Sequence, residues 1–218
     1  MPREEQFSPI SPVVRNGRSI SFELFPPATE SGEIALWNTV AELESLQPDF
    51  VSVTYGASGS VQDRTIKVVR RLSEQTSIPP VGHLTCVGAS REALVDVIEE
   101  YARAGVRTIL ALRGDPPGGP GGKWTPHPDG LNHADELVSL IRSVGDFAIG
   151  VAAFPEVHPE SASLDADARV LAAKQDAGAS FAITQFFFRA SDYFRLAERA
   201  SEHGCSMPII PGIMPVTN

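Results

Sequence analysis

Short apolar runs and amphipathic stretches alternate along most of this chain. The runs are ISFELF (20–25), FVSVT (50–54), PVGHLT (80–85), TILAL (108–112), FAIGVAAF (147–154), FAIT (181–184) and MPIIPGI (207–213). They are rich in β-branched and aromatic residues and read as strands buried on both faces, the signature of a parallel sheet. Between them, apolar residues recur at helical spacing over about 32–46, 63–75, 91–104, 132–144, 164–177 and 191–201. In the third of these, Leu94, Val95, Ile98, Tyr101 and Ala102 share one face, while Arg91, Glu92, Glu99, Glu100 and Arg103 are left for water. Strand then helix repeats six times before a seventh strand. The repeat is roughly 25 to 40 residues, close to the ~30 of a barrel that builds eight βα units from ~250 residues. The expected fold is therefore α/β, a (βα)8 TIM barrel, in preference to a doubly wound open sheet. The eighth strand is missing from this chain, and an apolar open edge invites aggregation, so a longer parent protein is expected. Residues 1–18 read as a polar, proline-bearing arm and 19–218 as one barrel domain.

Composition narrows the function classes. The chain has 218 residues, 42% hydrophobic and 21% charged, with a formal net charge of -9. That charge argues against a nucleic acid or an anionic membrane as partner, since both require basic patches. Cys86 and Cys205 lie far apart and outside any Cys/His cluster, which suggests neither a disulfide framework nor a zinc site. A reducing cytoplasm fits, and no secretory or membrane-spanning run is visible. The glycine-rich PPGGPGGKW segment at 116–124 fails the phosphate-loop pattern, with Pro117 and Trp124 at two required positions. No GxGxxG follows the first strand, so a Rossmann dinucleotide site has no support.

Chemistry concentrates where strands end, which is where a barrel places its active site. Glu23 stands between aromatics in the first strand, and burial there would raise its carboxyl pKa toward a useful general acid. A buried structural ion pair is the competing role. Thr54, Tyr55, Gly56 and Ala57 end the second strand, and His83 and Thr85 lie on the third. The fourth delivers Arg113, Gly114 and Asp115, in which glycine permits a turn or a close backbone approach. The fifth leads into PEVHPES with Glu156, His158 and Glu160, and the sixth into Gln185 before three phenylalanines. An amide in such an apolar run needs partners and could read the edge of a heteroaromatic ring. No HExxH or paired-histidine spacing supports a catalytic metal, and no GxSxG supports a nucleophile. Acid, base and recognition groups around a cofactor remain.

SFELFPP, VSVTYGA, GHLTCVG, LALRGDPP, AAFPEVHPES, AITQFFF and IIPGIMPV, in this order and spacing, resemble the 5,10-methylenetetrahydrofolate reductase family. The resemblance implies an FAD-binding barrel that takes hydride from NADH or NADPH and reduces methylenetetrahydrofolate by a ping-pong mechanism. It implies that Glu23 is the general acid and that Asp115 stabilises positive charge near flavin and pterin. Gln185 would contact the pterin. Flavin contacts would come from Thr54, Tyr55, Ala57, His83, Arg113, Gly114, Asp115, Ala134, Phe154, His158, Ser161, Asp167 and Lys174. Of these, Arg113 and Lys174 would serve the pyrophosphate or ribityl region and Asp167 the adenosine ribose. A homo-oligomer is a further implication. Two positions depart from the family pattern: Phe154 and His133 stand where tyrosine is usual. Each lost hydroxyl removes up to one hydrogen bond, ~0.5–1.5 kcal/mol, from flavin binding. The alternative expectation is a truncated, catalytically incompetent fragment that retains flavin or folate binding, or a variant with weak or no flavin binding.

Overall fold

The computed structural model describes residues 19–55, 59–116, 118–119 and 122–215. The arm expected over 1–18 and the candidate Ala57 lie outside the described residues. Seven strands form one sheet: β1 (Ser21–Leu24), β2 (Phe50–Val53), β3 (Pro80–Thr85), β4 (Thr108–Leu112), β5 (Ala148–Ala153), β6 (Phe181–Thr184) and β7 (Ile209–Ile210). All are parallel and their order in the sheet is their order in the chain. A doubly wound sheet must reverse its strand order at a switch point, and none occurs here. The architecture is that of an incomplete (βα)8 barrel, with β1 and β7 as the sheet edges among the described residues.

Among the described residues six helices make the crossovers: α1 (Glu30–Ser45), α2 (Gly59–Gln75), α3 (Arg91–Arg103), α4 (Ala134–Val144), α5 (Leu164–Asp176) and α6 (Ala190–Glu202). Three begin on hydroxyl caps that follow a strand end: Thr29 accepts from Gly32 N–H, Ser90 from Ala93 N–H and Ser163 from Ala166 N–H. Most boundaries fall within two residues of the sequence expectation, and two elements depart further. Helix α2 starts at Gly59 rather than near 63, because Gly59 and Ser60 carry little intrinsic helix signal. Strand β7 is only two residues long, since Pro208 and Pro211 flank it without an N–H for the ladder.

Alternate strand residues feed two apolar layers. Val51, Val53, Leu84, Ile109, Ile149 and Val151 pack outward with Leu94, Ile98, Leu137 and Ile141 of the helices. Phe50, Val81 and Leu110 form an inner cluster joined by Leu112, Ile183 and Ile210. Tyr101 of α3 closes tightly on the sheet: it is fully buried and donates to His83 C=O at 2.7 Å. Its ring occupies the space a side chain at position 82 would need: a Cβ on Gly82 would lie 2.7 Å from Tyr101 Cζ.

On the inner face of β3, in register with Leu110, lies His83, 5% exposed. Burial lowers its pKa from 6.5 to about 4.

Gly82→Ala should lower unfolding free energy in urea by ~1–3 kcal/mol through overpacking, and Tyr101→Phe by ~1 kcal/mol through the lost hydrogen bond. His83 makes a signed pH prediction. The unfolded imidazole takes a proton near pH 6.5 and the folded one only near 4, so stability is whole above 6.5 and falls as pH drops through that window. The loss reaches ~3 kcal/mol, and His83→Gln should remove that component from urea titrations at successive pH values.

Candidate active site

Because every strand runs the same way, the segments that follow β1 to β6 emerge on one rim. On β1, Glu23 is exposed rather than buried, correcting the expectation of a desolvated carboxyl. The physical reason is its place on an edge strand, where only β2 flanks it among the described residues. Thr54 reaches across from the end of β2, and its hydroxyl donates to Glu23 Oε1 at 2.8 Å. Next to it the Tyr55 ring lies in the outer core at 7% exposure, so only the backbone of that residue is left for a ligand.

At the end of β4, the ladder continues through Val87 N–H to Arg113 C=O at 2.9 Å before Gly114 turns away with φ +81°. A Cβ on Gly114 would lie 2.6 Å from Val87 Cγ1 and 2.9 Å from Thr85 Cβ, so glycine is required for both its φ and its closeness. Arg113 turns its guanidinium to Glu160 in a two-pronged pair, Nη1 to Oε2 at 2.6 Å and Nη2 to Oε1 at 2.8 Å. That fork holds the Glu160 carboxyl below its usual range and raises the Arg113 guanidinium. Arg113 also lies over the Trp124 ring, 4.9 Å from its centroid, and Trp124 Nε1–H donates to Asn132. Asp115, one residue past the turn, is exposed.

The segment after β5 is organised around His158. Its N–H donates to Asp167 Oδ2 at 2.8 Å, its Nδ1 accepts from Glu160 N–H at 3.1 Å, and its ring meets Phe154 edge-on at 4.6 Å. Ser161 closes the same turn, its N–H donating to His158 C=O. Asp167 thus has one oxygen committed to this segment. Ala134, the first residue of α4, is buried, and Glu136 reaches back to the N–H groups of Asn132 and His133.

Lys174 is not the solvated helix lysine its position suggests. It is 8% exposed, and its ammonium donates to Ala152 C=O on β5 at 2.9 Å. Burial pulls its pKa down to about 8, opposed by Asp135 and Asp167. Gln185 is exposed, contrary to the expectation of an amide buried in an apolar run: its N–H extends the ladder to Ala153 and its Oε1 accepts from Phe186 N–H.

The structure therefore joins Glu23 with Thr54, and His158 with Phe154 and Asp167. It leaves Glu23, Asp115 and Gln185 on separate strand ends with no hydrogen bond linking them among the described residues. Glu160 and Trp124 are the partners that sequence reasoning did not assign. Glu160 is 47 residues from Arg113, and no spacing rule connects them. Buried and unpartnered among the described residues, His83 Nε2 completes the inner face. No group of three His, Cys, Asp or Glu residues could hold a metal ion, and no helix is long and apolar enough to cross a membrane, among the described residues.

A phosphonopyruvate hydrolase structure with oxalate and Mg++ superposes with a TM-score of 0.64 over 97% of this chain and 72% of that one, at 13% identity, a likeness of fold alone. A 5,10-methylenetetrahydrofolate reductase of Pectobacterium carotovorum subsp. carotovorum is 48% identical over 200 residues, 92% of this chain. That of Escherichia coli (strain K12) is 46% identical over the same share. The chain spans 65% of the length of these two relatives. Residues 11–218 match the family described as Methylenetetrahydrofolate reductase, and with these identities over nearly its whole length the chain belongs to that family.

Proposed function

We propose that this chain binds FAD along the inner rim of its sheet and reduces 5,10-methylenetetrahydrofolate to 5-methyltetrahydrofolate with electrons from NAD(P)H. The observation that carries the reading is His83 Nε2, buried on the inner face without a partner among the described residues. Burial keeps this imidazole neutral, so one ring nitrogen donates and the other accepts. Such a group suits the polar edge of a flavin ring. When bound, FAD supplies a carrier that can take hydride from the nicotinamide and give it to the folate on the same face in turn.

The chain's own groups divide the remaining work. Arg113 and Lys174 would hold the phosphate and ribityl part, and Asp167 the adenosine ribose. Thr54, Gly114, Ala134, Phe154, His158 and Ser161 would line the cofactor, with the backbone of Tyr55 beside them. Asp115 stabilises positive charge that develops on the folate as its methylene bridge opens. Glu23, fixed at Oε1 by Thr54, can carry a proton on Oε2 to the nitrogen released from that bridge. Gln185 offers its amide N–H groups to the pterin.

Binding without turnover is the second reading, favoured by the exposure of Glu23. The protein incubated with FAD and then freed of unbound flavin by gel filtration, followed by visible absorbance under anaerobic conditions, separates the two. Bleaching by NADH and recovery with methylenetetrahydrofolate supports the reductase. A flavin band without that cycle supports binding alone, and no flavin band sinks both. Glu23→Gln should still bleach with NADH while recovery by the folate slows by ~10²-fold or more. Phe154→Tyr should tighten FAD up to about tenfold, the equivalent of one hydrogen bond, read by quenching of flavin fluorescence.

A further inference from the structure

Arg113 offers its planar fork to a carboxylate, and the same fork accepts two oxygens of a phosphate. Here Glu160 occupies it from the open side: its side chain keeps 40% of its exposure and that of Arg113 keeps 19%. The segment bearing Glu160 does not depend on this pair for its shape. It is tied by His158 N–H to Asp167, by Glu160 N–H to His158 Nδ1 and by the His158–Phe154 ring contact. The Glu160 side chain can therefore swing away while the backbone stays. An ionised carboxylate at that position would repel an incoming phosphate, with Asp115, Asp135 and Asp167 adding negative charge around Arg113 and Lys174.

We infer that Glu160 is an internal counter-ion seated in the anion site of Arg113, and that a phosphate-bearing ligand must displace it. Glu160 thereby sets the affinity for the dinucleotide form of a flavin while leaving the unphosphorylated form unaffected. The identity of the ligand as FAD rests on the reading above; the anion seat does not.

The test measures FAD, riboflavin and inorganic pyrophosphate binding to the protein and to Glu160→Gln, Glu160→Ser, Arg113→Gln and the Glu160→Gln/Arg113→Gln double variant. Flavin emission reads the first two ligands, and tryptophan emission, through Trp124 beside Arg113, reads pyrophosphate. Both Glu160 variants should bind FAD and pyrophosphate at least fivefold tighter, with riboflavin unchanged and the gain abolished by Arg113→Gln. Glu160→Ser guards against a glutamine amide that still bonds Arg113. Equal or weaker FAD and pyrophosphate binding by both variants would overturn the inference while leaving the flavin reading intact, as would an equal gain for riboflavin. If no form binds FAD yet the variants take pyrophosphate more tightly, the anion seat stands and the flavin reading falls.

Discussion

One constraint governs this molecule: seven strands laid side by side in chain order, all pointing the same way. A parallel strand must be buried on both faces, so its middle is apolar and its polar residues are driven to the end. Uniform direction brings those ends to a single rim. Glu23, Thr54, Arg113, Phe154 and Gln185 come from positions spread over most of the chain, yet each stands on that rim because its strand stops there. The helices matter to the site mainly as the outer layer that keeps the strands in register, with Tyr101 of α3 seated over Gly82 of β3.

Within that frame, the rim is wired by a few polar contacts rather than by packing. Gly114 makes the turn that sets Arg113 and Asp115 apart, and its positive φ and crowded Cβ site leave no other residue a comfortable fit. Arg113 then ties three segments together through Glu160 on one side and Trp124 on the other. Ion pairs this open contribute little to stability, at most ~1 kcal/mol. Their value here is placement of a cation at the mouth of the site.

Buried polar groups tell the complementary story. His83 and Lys174 both sit where burial opposes their charge, and both have their pKa values drawn down as a result. Lys174 recovers part of that cost through Ala152 C=O, whereas Nε2 of His83 has no such compensation among the described residues. Groups kept at a cost to stability are the ones most readily assigned to ligand recognition.

The sequence by itself determined the order of elements, the parallel sheet and the barrel class, because periodicity and strand-end chemistry are local properties of the chain. It also marked Arg113, Gly114, Asp115 and His158 through their motifs. Burial was decided only by tertiary structure. Glu23 and Gln185 look buried in their apolar runs but are exposed, one on an edge strand and the other past the end of its ladder. Lys174 looks solvated on an amphipathic helix but is enclosed against β5. The Arg113–Glu160 fork was likewise invisible, since a contact across 47 residues depends on how two strand ends are set side by side. Local pattern fixes which way a chain runs and which residues are apolar; exposure and long-range pairing follow from what the rest of the fold places next to them.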